Sequence, residues 1–349
     1  MKKLLKKLYY ENNLSKKELL YLLNNLHQKN RKYLYELACK TTQKTYGNRI
    51  FVRGLLEFTN YCKNNCKYCG LRRDNKKVKR YRLSKKEILI SVEKGYRIGY
   101  KTVVLQGGED SYYSDKILEE IIKEIKYKFK DIAITLSIGE RSKVSYKNLF
   151  NAGADRFLLR HETASYEMYE ALHPEMTLSH RINCLLNLKK VGYQSGAGFI
   201  VGLPGENNET LSNNLLFLKK LDPSMVGIGP LIPHPDTPLN KLKNGSIETT
   251  LTMLALTRLL LPYALIPATT ALNTLCSEGL EKGILAGANV VMLNLSPVEV
   301  REKYEIYKNK ETTDIHELDL IKRKAEKVNF HVDMSRGDYI NYNGRNENV

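Results

Sequence analysis

Three of the six cysteines in this 349-residue chain lie within one short segment, as Cys62, Cys66 and Cys69. Their spacing is C-x3-C-x2-C, and an aromatic residue, Tyr68, stands directly before the third cysteine. Three thiolates on one tight loop can bind three corners of a four-iron four-sulfur cluster, which leaves the fourth iron without a protein ligand. An iron with an open position can bind a chelating small molecule, and the reduced cluster can pass an electron to it.

Two other interpretations of these cysteines are weaker. A structural zinc site uses four ligands, commonly from two C-x2-C units, and the sequence has no second unit. A thioredoxin-like pair would use Cys66 and Cys69 and would leave Cys62 without a role. The three cysteines outside the segment lie in apolar, mostly helical patterns, so we expect buried structural thiols at Cys39, Cys184 and Cys276.

The cysteines follow the first of eight short runs with strand character. These runs cover residues 50–58, 102–106, 132–137, 156–160, 196–201, 225–229, 264–268 and 289–293. The intervals between them contain amphipathic helical patterns at 84–97, 113–129, 143–151, 165–190 in pieces, 207–220, 246–261 and 274–286. Each interval is long enough for a crossover helix, so consecutive strands can be parallel. Eight such units over about 250 residues predict an α/β protein with a TIM-type (β/α)8 barrel.

Two extensions flank the predicted barrel of residues 49–300. Residues 1–48 read as a helical extension, in which Ser15 and Glu18 form a capping box at one helix start. Ser84 and Glu87 form a second box inside the barrel. Residues 301–349 read as a C-terminal extension that packs on the barrel and contains a helix at 314–328.

Catalytic residues of such barrels lie at the carboxyl ends of the strands. Strand two ends in Gly107, Gly108 and Glu109, where backbone groups and a carboxylate can accept hydrogen bonds from a ligand ammonium. Strand three ends in Ser137, whose hydroxyl can face a ligand. Strand five ends near Gly202 in a glycine-rich segment without the Lys-Ser/Thr of a phosphate-binding loop.

Charged residues follow strand four. Alternation with a period of two places Arg160 and Glu162 on one face, which predicts either a ligand site or a structural ion pair. Arg181, in the next helix, can bind a carboxylate in a bidentate manner or lie on a solvated helix face. Strand seven ends in two adjacent hydroxyls, Thr269 and Thr270.

The cysteine loop and its place after the first barrel strand resemble the radical S-adenosylmethionine (SAM) superfamily. The resemblance implies one four-iron four-sulfur cluster on Cys62, Cys66 and Cys69, with SAM bound to the fourth iron and cleaved to a 5′-deoxyadenosyl radical. Within that picture the Gly107-Gly108-Glu109 turn binds the SAM amino group and the strand ending at Gly202 packs against adenine. The remaining cofactor-binding residues are then Ser137, Glu162 and Arg181.

Several further segments resemble the HydE-type maturases of FeFe hydrogenase. They are residues 71–75, 106–110, 160–164, 227–239, 267–271 and 287–292. The resemblance implies an organometallic substrate, an iron–carbonyl–cyanide cysteine complex, and transient contact with other hydrogenase maturases. It also implies an electron donor such as ferredoxin or flavodoxin. The substrate residues would be Arg160, Thr269, Thr270, Tyr304 and Tyr307.

The two tyrosines can be explained without that resemblance. From spacing alone, Tyr304 and Tyr307 form an i, i+3 aromatic pair on a packing face. The C-terminal part of the chain departs from those members of the family that carry a second cysteine cluster there. No cysteine follows Cys276, so we expect a single iron–sulfur cluster.

Three other functions stay open at this point. A methylornithine-synthase-like mutase would share the cysteine loop and would also need charged groups for an amino acid. A biotin-synthase-like enzyme would need more inward cysteines, which the sequence does not supply. An iron–sulfur scaffold or carrier would need the cluster without a SAM pocket, which the Gly-Gly-Glu turn argues against.

The composition also bears on location and partners. The net charge is +18, and we interpret the lysines as spread through the whole chain as a general bias, without a basic stripe interleaved with aromatics. We therefore expect no nucleic-acid partner. No stretch of eighteen uninterrupted apolar residues is present and the N-terminus lacks the features of a signal peptide, so we expect a cytoplasmic protein without a membrane segment.

Overall fold

A computed structural model describes residues 1–310 and 317–342 of the chain. The helices are α1 (Lys2–Glu11), α2 (Lys16–Asn25), α3 (Gln28–Tyr46), α4 (Lys85–Ile98), α5 (Asp115–Lys128), α6 (Lys143–Ala152), α7 (Tyr166–Leu172), α8 (Leu178–Val191), α9 (Asn208–Leu221), α10 (Ile247–Leu260), α11 (Thr270–Leu275), α12 (Gly279–Leu285), α13 (Val298–Arg301) and α14 (Leu318–Glu326). The strands are β1 (Arg49–Thr59), β2 (Thr102–Gly107), β3 (Ala133–Ser137), β4 (Arg156–Leu158), β5 (Gln194–Val201), β6 (Met225–Pro230), β7 (Val290–Asn294) and β8 (His331–Asp333).

Seven of the strands form a curled parallel sheet in the order β6-β5-β4-β3-β2-β1-β7. Apolar side chains on the outward face of each strand pack against the crossover helices, and this contact forms the main hydrophobic core. Both predicted capping boxes are present, at Ser15 with Glu18 and at Ser84 with Glu87. The predicted fold class, an α/β barrel of the TIM type, is confirmed.

The run predicted as strand seven, residues 264–268, is not a regular strand. It makes isolated parallel bridges, from Leu265 to β6 and from Pro267 to β7. Pro267 has no N–H to donate, so a regular ladder cannot continue through it. The buried Arg258 guanidinium supports the segment instead, through bonds to the carbonyl of Ala264 and to the side chain of Asn289.

The N-terminal helices pack on the outside of the barrel. The side-chain amide of Asn12, at the end of α1, donates to the carbonyl of Leu259 in α10 at 2.8 Å. An exposed ion pair joins Lys16 at the start of α2 to Glu209 at the start of α9. These contacts fix the extension against the α9–α10 side of the barrel.

The C-terminal segment adds β8 beside the start of β1. Because β8 has only three residues, the sequence shows no alternating pattern that would predict it. Just beyond β8, Asp338 pairs with the fully buried Arg156 of β4 at 2.6 Å. The segment therefore covers the amino-terminal end of the strands, opposite the cysteine loop. The helix predicted at 314–328 is observed as α14, and its first predicted residues lie outside the described part of the chain. None of the described helices is both long and apolar enough to cross a membrane.

Candidate functional site

The cysteine loop packs against the turn that follows β2. A Cβ atom on Gly108 would stand 2.2 Å from the carbonyl oxygen of Tyr61 and 2.7 Å from Cβ of Cys62, so only glycine allows this approach. The backbone N–H of Glu109 donates to the sulfur of Cys62 at 3.4 Å. The Lys63 N–H donates to the carbonyl of Glu109 at 3.0 Å. The predicted Gly-Gly-Glu turn therefore lies directly beside the first cysteine.

The three thiols form one electrostatically coupled group. Burial raises the pKa of Cys62 and raises that of Cys69 to about 12. Burial, with the neighbouring Cys69 and Cys62 thiols, raises the pKa of Cys66 well above its ordinary value. A nearby cation lowers these pKa values again, because it stabilises the thiolates that the buried site otherwise disfavours.

The donor set fits an iron–sulfur cluster better than a single ion. Among residues 1–310 and 317–342, no group of three or more His, Cys, Asp or Glu side chains is placed to hold one metal ion, as zinc would require. In a four-iron cluster each thiolate binds a different iron, so the ligands lie farther apart. All three cysteines are free and partly exposed.

Tyr68, the aromatic residue before the third cysteine, is fixed by His173. The Nδ1 atom of His173 lies 2.7 Å from the Tyr169 carbonyl, which only accepts, so Nδ1 carries the proton. Burial lowers the pKa of His173 to about 4, which keeps the ring neutral. Its Nε2 atom therefore accepts from the Tyr68 hydroxyl at 2.8 Å. This contact fixes the side chain of Tyr68, which stands between Cys66 and Cys69 in the sequence.

The predicted residue Arg181 is buried and has an acidic partner that the sequence did not reveal. Its Nε donates to Glu140 Oε1 at 2.6 Å, and its Nη1 donates to the carbonyl of Arg160 at 2.8 Å. Glu109 also reaches this region, because its Oε1 accepts from the N–H of Glu140 at 2.9 Å. The solvated-face interpretation of Arg181 is therefore wrong. Glu140 stands three residues beyond β3, and its position past a strand end was the only signal available.

Glu162 has a strained backbone four residues beyond the end of β4. Its φ is 62°, in the left-handed region that costs a non-glycine residue about 1–2 kcal/mol. Two backbone hydrogen bonds stabilise this conformation. The Glu162 N–H donates to the Gly198 carbonyl at 3.0 Å, and the Ile200 N–H donates to the Glu162 carbonyl at 3.1 Å. Strained residues of this kind concentrate at functional sites.

Arg160 and Glu162 form the ion pair that the structural alternative predicted, with 3.2 Å between Nη2 and Oε2. The pair leaves hydrogen-bonding capacity unused. Arg160 Nε is buried and has no hydrogen-bond partner among the described residues, and the contact of Glu162 Oε2 is the ion pair with Arg160. The remaining contact of Arg160 is a bond from Nη2 to the Phe199 carbonyl at 2.7 Å. The geometry therefore leaves the buried Arg160 Nε as a donor for a ligand.

Two glycines of β6 make room for polar groups inside the barrel. An added Cβ on Gly227 would lie 3.8 Å from Cδ of Arg160, and one on Gly229 would lie 3.0 Å from Oγ1 of Thr269. Positions two apart on a strand share one face, so Arg160 and Thr269 lie along the same inner face. Thr269 Oγ1 is buried and has no hydrogen-bond partner among the described residues. Thr270, directly beyond it, begins α11 and is half-buried.

The segment after α13 covers the same end of the barrel. Residues 304–307 are not helical, so the predicted i, i+3 face of Tyr304 and Tyr307 is wrong. Tyr304 is buried, whereas Tyr307 is half-buried. Burial raises the pKa of Tyr304 well above its ordinary value, and Gln106 near the end of β2 opposes that rise. The Lys310 ammonium lies 5.1 Å from the centre of the Tyr304 ring and pairs with Glu57.

The other predicted residues occupy less decisive positions. Gly202 has a φ of 96°, and a Cβ there would stand 2.5 Å from the backbone of Gly245, so packing alone requires glycine. Ser137 ends β3 and is half-buried. Of the three isolated cysteines, Cys184 is buried as expected, whereas Cys39 and Cys276 are only partly buried.

Comparisons with known proteins agree with this geometry. Residues 56–251 match the family model described as the Radical SAM superfamily. The chain is 48% identical over 277 residues to the [FeFe] hydrogenase maturase subunit HydE of Thermotoga maritima, an alignment that covers 79% of each protein. It is 32% identical over 260 residues to 3-methylornithine synthase of Methanosarcina acetivorans, covering 74% of this chain and 73% of that one.

The fold has a close counterpart among solved structures. The crystal structure of methylornithine synthase superposes with a TM-score of 0.83 and 26% sequence identity. The superposition covers 95% of this chain and 97% of that chain. The similarity therefore includes the flanking segments as well as the barrel.

Proposed function

Because the chain belongs to the radical SAM superfamily, we propose that Cys62, Cys66 and Cys69 hold one four-iron four-sulfur cluster that binds SAM. When bound, the cluster and SAM supply reductive cleavage to a 5′-deoxyadenosyl radical. The observation that carries the proposal is the contact of the cysteine loop with the Gly108–Glu109 turn. It places Cys62, the first of the three coupled thiols, directly beside the Gly108–Glu109 backbone.

The charged groups around this point suit the amino-acid end of SAM. Glu109 and Glu162 supply carboxylates for its ammonium, and the Arg181 guanidinium supplies a partner for its carboxylate. Arg181 uses Nε and Nη1 on Glu140 and the Arg160 carbonyl, so its orientation is fixed before a ligand arrives. In this proposal Ser137 and the strand ending at Gly202 complete the cofactor-binding surface.

The second half of the proposal concerns the substrate, an iron–carbonyl–cyanide cysteine complex used in assembly of the hydrogenase active site. The buried Nε of Arg160 and Oγ1 of Thr269 have no hydrogen-bond partners among the described residues, and they lie along one inner face. Such a pair of donors suits the carboxylate of the cysteine portion. Thr270 extends this site, and Tyr304 and Tyr307 border it.

Two relatives support different substrates. The chain is 48% identical to a HydE protein and 32% identical to a 3-methylornithine synthase, so the maturase function is the first candidate. The mutase stays the second candidate, because the solved methylornithine synthase matches the fold over 97% of its own length. A maturase function also implies an electron donor and transient contact with other hydrogenase maturases.

Product analysis separates the candidates. The protein is reconstituted and reduced without oxygen, SAM is added, and 5′-deoxyadenosine is quantified with the iron–cysteine complex, lysine or dethiobiotin. We expect a rise with the iron complex alone. A rise with lysine would replace the maturase by the mutase, and absence of 5′-deoxyadenosine under every condition would favour an iron–sulfur scaffold.

A further inference from the structure

The positive charge of this protein is concentrated near the cysteine loop, contrary to the even spread expected above. Residues 61–86 contain eleven basic side chains and one acidic one, Asp74. This segment of 26 residues therefore accounts for ten of the eighteen excess positive charges. The basic residues are Lys63, Lys67, Arg72, Arg73, Lys76, Lys77, Lys79, Arg80, Arg82, Lys85 and Lys86.

Arg80 folds this segment into one compact surface. Its guanidinium donates to the carbonyls of Leu71, Arg72 and Asn75 at 3.0, 2.8 and 3.2 Å, and also to the carbonyl of Asn60. Asn60 precedes the cysteines in sequence and the other three residues follow them. The basic segment after the cysteines is therefore folded back against the residue that begins the cysteine loop.

Carboxylates from other elements neutralise only part of this surface. Five of the basic residues have such a partner. The pairs are Lys63 with Glu109, Arg73 with Glu175, Lys77 with Asp236, Arg82 with Asp110 and Lys85 with Glu124. The other six have no ionic partner among residues 1–310 and 317–342. They are Lys67, Arg72, Lys76, Lys79, Arg80 and Lys86.

The aromatic rings on this surface already contact other side chains or are buried. The ring of Tyr61 lies under the Arg82 guanidinium, 3.7 Å from its centre, and the same guanidinium lies 4.8 Å from the centre of the Tyr112 ring. Tyr68 is held by His173, and Tyr81 is buried. Single-stranded nucleic acids bind by stacking bases on free aromatic faces, whereas Tyr61, Tyr68 and Tyr81 already contact other side chains or are buried, and the exposed Tyr112 has Arg82 over its ring. An acidic protein suits this surface better.

We propose that residues 61–86 form the docking surface for an acidic one-electron carrier protein that reduces the cluster. The inference rests on the proposed function, because the loop must hold a redox-active cluster. One electron passes from the reduced carrier to the oxidised cluster, so the carrier is oxidised by one electron and no covalent bond changes. Docking on the cluster-binding loop itself minimises the transfer distance, and opposite charges accelerate the encounter.

The test removes exposed charges that have no ionic partner among the described residues. Lys76→Gln, Lys79→Gln and Lys86→Gln are combined in one variant. The matched control combines Lys130→Gln, Lys190→Gln and Lys220→Gln, three exposed lysines just before β3, β5 and β6, at the opposite end of the barrel. The reconstituted proteins are mixed anaerobically with reduced acidic flavodoxin as the probe. The rate of cluster reduction is followed by its absorbance at several ionic strengths.

We expect the surface variant to be reduced about tenfold more slowly than wild type at low salt, and the control variant at the wild-type rate. The difference should shrink to about twofold or less at high salt, because the charges are then screened. Equal rates for all three proteins at low salt would overturn the proposal. So would an unchanged flavodoxin rate together with lost affinity for RNA, which would assign the surface to nucleic acid.

Dithionite separates this inference from the proposed function. As a small chemical reductant it should reduce the cluster and drive SAM cleavage equally in wild type and both variants. Dithionite-driven cleavage that fails in every protein would contradict the proposed function and leave the flavodoxin rates to be judged separately. Normal cleavage with unchanged flavodoxin rates would contradict the docking surface alone.

Discussion

The ammonium of Lys310 and the carboxylate of Glu57 form an ion pair inside the barrel mouth, with 2.5 Å between Nζ and Oε1. Both side chains are nearly inaccessible, at 7% and 0% exposure. Glu57 also accepts from the Asn294 amide at 3.0 Å. Burial raises the pKa of Glu57, and Lys310 opposes that rise. The pair fastens the segment that carries Tyr304 and Tyr307 over the candidate site.

Replacing Lys310 alone should therefore destabilise the protein. Lys310→Met leaves a carboxylate buried without its cation, which we expect to lower the free energy of unfolding by about 3 kcal/mol at neutral pH. The measurement is the urea midpoint of the protein without its cluster. The double variant Glu57→Gln, Lys310→Met removes both charges and should recover most of the loss. A single variant as stable as wild type would show that the pair does not hold the segment.

Arg160 and Arg181 should have separate roles. Arg160→Ala removes a guanidinium with unused hydrogen-bonding capacity but keeps the backbone carbonyl that Arg181 binds. We expect SAM affinity to stay within about twofold and substrate affinity to fall about tenfold to a hundredfold. Arg181→Ala should instead weaken SAM binding. Equilibrium dialysis with SAM and the substrate dependence of 5′-deoxyadenosine formation measure the two effects, and equal losses in either variant would refute the separation.

Because the backbone of Glu162 is strained, we expect glycine to stabilise the protein more than alanine does at this position, which reverses the usual order. Both Glu162→Ala and Glu162→Gly remove the carboxylate, so both should weaken SAM binding. Only glycine relieves the positive φ, so the glycine variant should be more stable than the alanine variant by about 1 kcal/mol. The comparison is made by urea unfolding without the cluster. An alanine variant that is the more stable of the two would mean that the strain is absent in solution.

Local sequence signals predicted the parts of this protein that local chemistry determines. The roles of the three cysteines and of Gly108 depend on residues close to them in sequence, so the local motif was enough to predict them. The capping boxes also formed as predicted, since their partners are three residues apart.

Local sequence patterns could not predict which residues pair when they are far apart in the sequence. Glu140 meets Arg181 across 41 residues and Lys310 meets Glu57 across 253, and no period in the sequence relates such partners. The missing regular strand at 264–268 has a local cause, because Pro267 interrupts the ladder. The role split between Arg160 and Arg181 remains a prediction.

Glu206, in the turn after β5, should make stability depend on pH. Burial raises the pKa of its carboxyl to about 7 from 4.5, although Oε1 accepts from the Gly202 N–H at 2.9 Å. Between these two values the folded state binds more protons than the unfolded state, so stability falls as the pH rises from about 5 to 8. We expect Glu206 to contribute about 2 kcal/mol to that fall, since the group is only partly buried. Glu206→Gln cannot titrate but keeps an oxygen for Gly202, so its free energy of unfolding should fall less over the same range. Urea midpoints at pH 5 and pH 8 measure the difference, and identical pH dependence in both proteins would place the carboxyl in water rather than in the turn.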